Sequence, residues 1–430
     1  MLYQRELSIK YEVDIFVAGG GPAGVAAAVA AARCGKKVFL AEATGSFGGL
    51  GTSGMVPAFA PFGDGVNILA AGIGYEIRKN ITHDMPLDSY WTTINTEELK
   101  REYDKIICDA GVEFSFFTSL LDVICEKDKV KYVVLGSKTG LFAVKAKIYI
   151  DATGDGDLCA FGGGEYELGD SDGEVMPATL CSMWTNIDIS RVSGRQNRFV
   201  EEAFRDGILS QKDKQLTGIF YKSSGNGGGN IGHVFGVQPT DEGSLSAAMV
   251  SGRKSMEEYE KYYRKYLPGF EKTELCATAA VLGVRESRRI KCDYMLNIND
   301  FICRASFDDE IGRYCYPVDM HIMNTSEKEF ERFEKEYASL RYSKGESYGI
   351  PYRSLIPVSF SNVLVAGRCI GTDRKMQASV RVMPGCFITG QAAGTAATLA
   401  ADSENVRSVN ISELKKQLQK AGACVYCTKD

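Results

Sequence analysis

Only three histidines occur in 430 residues, and histidine is the one side chain whose ordinary pKa lies near neutrality. Any acid–base chemistry must therefore draw on a short list. Basic charge is also in short supply: 50 Lys and Arg stand against 55 Asp and Glu, a formal net charge of −5. That balance supplies no positive field for a polyanion and excludes nucleic-acid binding as a main role. No apolar run is long enough to cross a bilayer, so no membrane association is expected. The opening MLYQRELSIKYE lacks the apolar segment of a signal peptide, and a cytoplasmic location is expected. The thirteen cysteines are scattered through expected strands and helices, which fits a reducing compartment with mostly buried thiols. No four of them have iron–sulfur spacing, and no metal site is expected. Cys424 and Cys427 form a terminal C-x-x-C able to shuttle electrons or bind metal, though without further ligands.

Glycine, by contrast, is abundant: 46 residues, and they cluster. Residues 13–42, VDIFVAGGGPAGVAAAVAAARCGKKVFLAE, read as strand, turn, helix and strand. Gly19, Gly21 and Gly24, with Pro22 and Ala23 between them, supply G-x-G-x-x-G. The first glycine permits the tight turn, the second lets the backbone approach a pyrophosphate, and the third lets the helix pack on the strand. Gly35 closes the alanine-rich helix. Glu42 ends the second strand, where a carboxylate accepts hydrogen bonds from a ribose diol and repels a 2′-phosphate, which argues against NADP. This unit alone leaves NAD and FAD both open.

Three later stretches favour FAD. Directly after Glu42, the segment beginning at Ala43, ATGSFGGLGTSGMV, brings Gly48, Gly49, Leu50 and Thr52 into a main chain able to lie against a flat ligand. An NAD domain has no use for such a segment so early. AKIYIDATGDGDLC is a strand ending at Asp151, followed by Ala152, Thr153, Gly154 and Asp157. FSNVLVAGRCIGTD is another buried strand, followed by Gly367 and Arg368. Beyond Arg381 and Val382, a helix starting near Pro384 and Gly385 presents free N–H groups and a partial positive charge. Aimed at the anionic edge of a reduced flavin, it would stabilise that form. The alternative is that its GQAAG simply permits close helix packing, and both can hold.

Taken together, GGGPAG, GGLGTSG, DATGDGD, GVRESRRI, YGIPYRSLIP, NVLVAGRCI and SVRVMPGCFITGQAAGTAA resemble the FAD-dependent oxidoreductases of the glutathione-reductase-like flavoprotein superfamily. More narrowly, the chain is similar to a group of mostly uncharacterised bacterial members, over nearly its whole length. The resemblance implies an α/β fold: a Rossmann-like FAD-binding domain of glutathione-reductase type carrying an inserted α+β substrate domain. It implies tightly held FAD, with the adenine half near residues 19–42 and the flavin near residues 48–52 and the C-terminal segment. Disulfide reductases of this superfamily carry a cysteine pair just after the GG segment; GGLGTSG has no thiol. A second departure is TDRKMQAS, where Arg374 and Lys375 occupy the place of a His-Glu-like pair. Permanent cations there favour an anionic substrate or a raised flavin potential, with Arg374 expected near the isoalloxazine.

The FAD domain is expected to be discontinuous, residues 1–165 and 350–430, with residues 166–349 inserted as a substrate or cap domain. NTEELKREYDKIICDAG predicts a helix capped by Asn95, followed by strands VEFSFFTSL, DVICEKD, VKYVVLGS and LFAVKAKIYI. In the insert, RQNRFVEEAFRDG, residues 244–270 and SEKEFERFEKEYASL predict helices, and residues 223–230, SSGNGGGN, a flexible loop.

Hydride exchange with a flavin requires a proton donor or acceptor and something to orient the substrate. His321, on an expected strand in YCYPVDMHIMN, and His233, after the glycine loop, are the candidates; His83 reads as a surface turn. Among the arginines, Arg374 and Arg288 are candidates for the chemistry, and Arg285, Arg289, Arg353 and Arg381 cluster in the same motifs. The competing reading is an internal ion-pair network with Glu286 and Asp319. No second strand-G-x-G-x-x-G-helix unit occurs, so a dedicated NAD(P)H domain is not expected. The expected function is hydride transfer between flavin N5 and a small polar substrate, anionic or hydroxylated. An electron-carrier protein, a quinone or NAD(P)H is the expected exchange partner. The alternative is an electron-transfer or non-catalytic FAD-binding partner subunit. A homo-oligomer is a default for a chain of this kind, nothing more.

Overall fold

The computed structural model describes residues 4–82, 90–222, 224–337 and 339–425. Its centre is a seven-stranded sheet built from the unbroken apolar runs of the sequence. Strand β1 (Ile9–Ala18) pairs in parallel with β2 (Val38–Ala41) on one side and with Gly140–Asp151 on the other. Phe16, Val17, Leu40 and Ile150 are completely buried, as a parallel strand covered on both faces requires. Glu113–Ser115 extends the sheet beyond β2, and Val363–Val365 joins the C-terminal end of Gly140–Asp151. The first half of that long strand pairs antiparallel with Lys129–Ser137, which pairs in turn with Ser119–Glu126. Ala18 lies opposite both Ala41 and Asp151, and Asp151 lies opposite Val365. The carboxyl ends of these four strands are thus level, and each of the four leads into a glycine-bearing segment at one edge. Crevices of this kind are where open α/β sheets bind ligands.

Helix α1 (Pro22–Arg33) follows β1, and the long helix Met383–Ala400 crosses it. A Cβ at Gly390 would stand 2.2 Å from the Ala23 carbonyl oxygen, and one at Gly394 would stand 2.1 Å from that of Ala27. Only hydrogen at these positions lets the two backbones touch. Thr96–Asp109 begins where expected, Asn95 accepting from the N–H groups of Glu97 and Glu98. Among the described residues no helix is long and apolar enough to cross a membrane.

A four-stranded antiparallel sheet lies outside this layer, in the order Gly218–Tyr221, Gly227–Asn230, Ser182–Thr185, Glu274–Thr278. With helix Glu242–Tyr266 it encloses a second core of Trp184, Tyr262, Tyr263 and Phe270. A smaller cluster includes Leu180, Ala248, Leu282 and Val284, with Met55 of the first part of the chain packed against it. Residues such as Ile290, Leu296, Tyr314 and Tyr316 belong to the main core. The architecture is α/β, Rossmann-like, with added antiparallel sheets.

Four local expectations are corrected. The glycine-rich stretch is not all loop, because Gly227–Asn230 is an interior strand paired on both sides. Its glycines answer to crowding: a Cβ at Gly228 would stand 2.4 Å from Pro57 Cβ, and one at Gly229 would stand 2.6 Å from Ser182 Oγ. VEFSFFTSL is two strands, Glu113–Ser115 and the start of Ser119–Glu126, broken at Phe117 with its φ of 51°. The RQNRFVEEAFRDG helix is confined to Val200–Arg205, because the Gln196 amide is instead bonded to both backbone groups of Ile219. His321 is not on a strand: Glu310–Tyr314 ends earlier, before Pro317, which has no N–H to give a ladder.

Candidate functional site

A cleft of about 530 Å³ opens along the level strand ends. The first glycine segment contributes Gly19, Gly21, Pro22 and Ala23 to its wall, and the stretch after β2 contributes Glu42, Ala43, Gly49 and Leu50. Ala152, Thr153, Gly154 and Asp157 follow Gly140–Asp151, and Gly367, Arg368 and Arg381 come from the last part of the chain. The tertiary fold therefore brings together four glycine-bearing turns that are far apart in sequence. They touch one another as well as the cleft. A Cβ at Gly49 would stand 3.3 Å from Gly21 Cα, and one at Gly367, 3.0 Å from Ala23 Cβ.

Five of the expected cofactor contacts stand behind this wall instead. Gly24 is a packing residue, since a Cβ there would be 1.8 Å from the Gly19 carbonyl oxygen. Gly48, at φ 102°, would strike the Tyr103 ring. The Thr52 hydroxyl is completely buried and donates to the Phe47 carbonyl. A Cβ at Gly385 would be 2.3 Å from the Val380 carbonyl oxygen. Val382 is the N-cap of Met383–Ala400 and makes no side-chain cap.

Three observations fit a flavin dinucleotide in the cleft. A Cβ at Gly21 would meet no protein atom within 4 Å, so the bare backbone there faces open space. Helix α1 and helix Met383–Ala400 both start without a side-chain cap and with proline in the first turn. Their free N–H groups and partial positive charge form two anion-accepting ends on one cleft. Glu42 holds the far end: its Oε1 accepts from the Thr44 N–H and hydroxyl, each at 2.7 Å, and its Oε2 from the Gly20 N–H at 2.7 Å. Oε2 keeps a lone pair for a further hydroxyl donor.

The acidic turn after Gly140–Asp151 is held by two arginines. Arg288 donates to Asp157 Oδ1 at 2.7 Å and to the Asp155 carbonyl at 3.0 Å. Arg368 donates to the Gly154 carbonyl at 2.9 Å and pairs with Asp155. Burial, then the neighbouring Asp155 and Asp151, push the Asp157 carboxyl up to about 6 against the opposing pull of Arg288. Arg374 does not line the cleft. It donates to both carboxylate oxygens of Glu286, at 2.8 and 3.0 Å, and to Asp170 at 3.2 Å. Glu286, completely buried, also receives Arg289 at 3.1 Å.

The two histidine candidates meet. His233 Nε2 lies 2.7 Å from His321 Nδ1, and His233 Nδ1 lies 2.8 Å from Asp213 Oδ2. His321 Nε2 stands 3.5 Å from Asp319 Oδ2, and Arg381 donates to that oxygen at 3.0 Å. Arg381 reaches the cleft, so the line of groups ends there. Burial, then the positive Arg285, push His321 down to about 3, and burial also lowers His233 against the pull of Asp213. Although burial opposes it, His321 when protonated, together with Arg381 and Arg285, holds the Asp319 carboxyl well below the usual carboxylate range. Asp213 escapes sequence reasoning, because KDKQLTG carries no motif and the carboxylate is twenty residues from the histidine it holds. Leu245, Leu282 and Val284 also line the cleft, and nothing in an apolar residue's spacing marks it as a ligand wall. His83 and Cys427 lie outside the described residues.

A level set of strand ends, two uncapped helix starts and a carboxylate beyond the second strand define a dinucleotide-binding flavoprotein. The chain belongs to the FAD dependent oxidoreductase family, whose model matches residues 14–418, and FAD is its cofactor. Among curated proteins, it is 24% identical over 247 residues to a thiamine thiazole synthase of Desulfosudis oleivorans, covering 54% of this chain and 87% of that protein. It is 28% identical over 240 residues to the thiamine thiazole synthase of Methanococcus aeolicus, covering 52% and 81%. Among solved structures, a geranylgeranyl bacteriochlorophyll reductase-like protein of Thermoplasma acidophilum aligns with a TM-score of 0.50. That alignment covers 96% of this chain and 84% of the other at 13% identity, a likeness of fold.

Proposed function

We propose that this oxidoreductase exchanges a hydride with a small polar substrate carrying a C–OH or C=O group, with His321 handling the accompanying proton. The observation that carries the reading is the line His321–Asp319–Arg381, which ends at the cleft wall beside the start of Met383–Ala400. FAD, when bound, supplies the two-electron exchange with the substrate carbon. The chain's own groups do the rest. Glu42 would accept from the adenosine ribose, the backbone N–H groups at the start of α1 would take the pyrophosphate, and residues 49–50, Asp157 and the start of Met383–Ala400 would hold the flavin half. Arg288 and Arg368 keep the acidic turn in place. Arg381 offers its guanidinium to an anionic or oxygen-bearing substrate. His321 Nε2 takes the hydroxyl proton when the substrate loses a hydride, and returns it in the reverse direction. Within residues 166–349, the outer unit acts as the substrate-facing insert, and Leu245 and Leu282 close the cleft with their apolar side chains.

The test is an anaerobic bleaching screen. The purified protein is expected to be yellow, and one member of a panel of hydroxy acids, polyols and cyclic alcohols is expected to bleach it. His321→Gln is expected to bind FAD normally and to bleach about 10²–10⁴-fold more slowly with that compound. A His321→Gln protein that bleaches at the wild-type rate overturns the reading.

A further inference from the structure

Two imidazoles and two carboxylates stand in one line that runs to the cleft at Arg381, the His321 side chain being 11% exposed, and their proton count is constrained. Asp213 and His233 are 2% and 4% exposed, so water cannot complete their hydrogen bonding. An ionised carboxylate only accepts, so the proton in the 2.8 Å contact with Asp213 belongs to His233 Nδ1. A neutral His233 then has a bare Nε2. The 2.7 Å contact between the rings is a hydrogen bond only if His321 carries its proton on Nδ1. A neutral His321 so protonated has a bare Nε2, the atom turned toward Asp319 and Arg381. The 3.5 Å gap to Asp319 is longer than a hydrogen bond, as two groups that both accept should show. Burial and Arg285 keep both rings neutral.

We propose that Asp213 and His233 are positioning residues that fix the tautomer of His321, presenting its bare Nε2 as a proton acceptor and relaying the accepted proton inward. This rests on the proton-exchanging role given to His321 above. When Nε2 gains a proton, it becomes a donor to Asp319. The Nδ1 proton can then cross the 2.7 Å bond to His233 Nε2, so one positive charge moves from His321 to His233 beside Asp213. One proton enters and one hop follows; no bond between heavy atoms is made or broken. The charged and titratable groups facing this line are Asp213, Asp319, Arg285 and Arg381, with Tyr90, Tyr259 and Tyr316 at its flanks. The arrangement follows the logic by which a buried carboxylate orients a catalytic imidazole, with a second imidazole placed between the two.

The experiment reads protonation of the full-length protein by NMR of isotope-labelled histidine nitrogens at neutral pH, without substrate. The expected pattern is N–H on Nδ1 of both His233 and His321 and a bare Nε2 on His321. Asp213→Asn, whose amide can donate to His233 Nδ1, is expected to reverse both tautomers and place the proton on His321 Nε2. Asp213→Glu, which retains the carboxylate, is expected to keep the wild-type pattern and to show that the change is not one of folding. Carbethoxylation by diethyl pyrocarbonate, which needs a bare nitrogen, gives a second readout. It is expected to be fast at His321 in the wild type, absent in His321→Gln and lost in Asp213→Asn. A wild-type His321 protonated on Nε2, or an Asp213→Asn protein with an unchanged tautomer, overturns the relay. Neither readout uses substrate. Failure of the relay is therefore distinct from failure of the catalytic role of His321, which the bleaching rate of His321→Gln reports.

Discussion

A methyl group added at Gly24 would stand 1.8 Å from the Gly19 carbonyl oxygen, whereas one added at Gly21 would meet no protein atom within 4 Å. The fingerprint glycines therefore separate into one that the fold requires and one that leaves room for a ligand. Gly24→Ala is expected to lose about 1–3 kcal/mol or more of stability through overpacking, seen as a lower Tm of the protein stripped of FAD. Gly21→Ala, at φ −65°, is expected to leave that Tm unchanged or slightly raised. Its FAD affinity, measured by fluorescence titration, should fall at least about tenfold, roughly 1.4 kcal/mol. Equal loss of stability in both variants would contradict the assignment. Asp157 offers a pH test. Its carboxyl is raised from 3.8 to about 6, so between those values the native state holds a proton that the unfolded chain has released. Stability from this group is present at low pH and is lost as pH rises through about 6. Asp157→Asn removes that loss. Its Tm relative to wild type, both without FAD, should become more favourable on going from below pH 4 to above pH 6; a difference independent of pH would refute this.

At the scale of elements, close packing of Met383–Ala400 was readable from GQAAG, but that its partner is α1 was not. Small residues repeated in VAAAVAAA and GQAAGTAA leave little for a side chain to do except stay out of the way. The sheet of the outer unit was less readable. Gly227–Asn230 has the composition of a loop, yet its backbone completes the ladders of two neighbours. Composition reports conformational freedom, whereas these glycines are there because crowding by Pro57, Ser182 and Trp184 excludes side chains from a backbone paired on both sides. Gly228→Val, a strand former by propensity, is therefore expected to destabilise the protein, by about 1–3 kcal/mol. Denaturant melts should show this while FAD binding persists, since the substitution lies outside the residues lining the cleft. A stabilised variant would mean that the strand reading is wrong.

Across the whole molecule, segments far apart in the chain are joined by charges that the sequence shows only as scattered letters. Arg374 reaches Glu286 and Asp170, and Glu286 also takes Arg289. Arg374→Ala leaves the completely buried Glu286 with one guanidinium in place of two. Breaking a buried pair of this kind costs about 3–5 kcal/mol, and the remaining Arg289 places the expected loss at or below the lower end. The Tm should fall while the visible spectrum of bound FAD stays unchanged. A shifted flavin spectrum or potential with an unchanged Tm would instead put Arg374 beside the isoalloxazine.

The sequence by itself determined the elements of the dinucleotide-binding layer and the order in which they come. Each is set by local physics: buried apolar runs make parallel strands, glycines permit the turns, and an alanine-rich stretch makes a helix able to lie against another. The family and cofactor follow from the same local signals. Only the tertiary structure decided which candidates face the cleft and which stand behind it: Gly48 and Gly49 are neighbours in the chain, yet Gly49 lines the cleft while Gly48 packs against the Tyr103 ring. It also decided that His233, eighty-eight residues before His321, shares a hydrogen bond with it, and that Asp213 completes the line. Such contacts join segments twenty and eighty-eight residues apart that only the packed chain brings together, and no spacing along the chain encodes a distance across space.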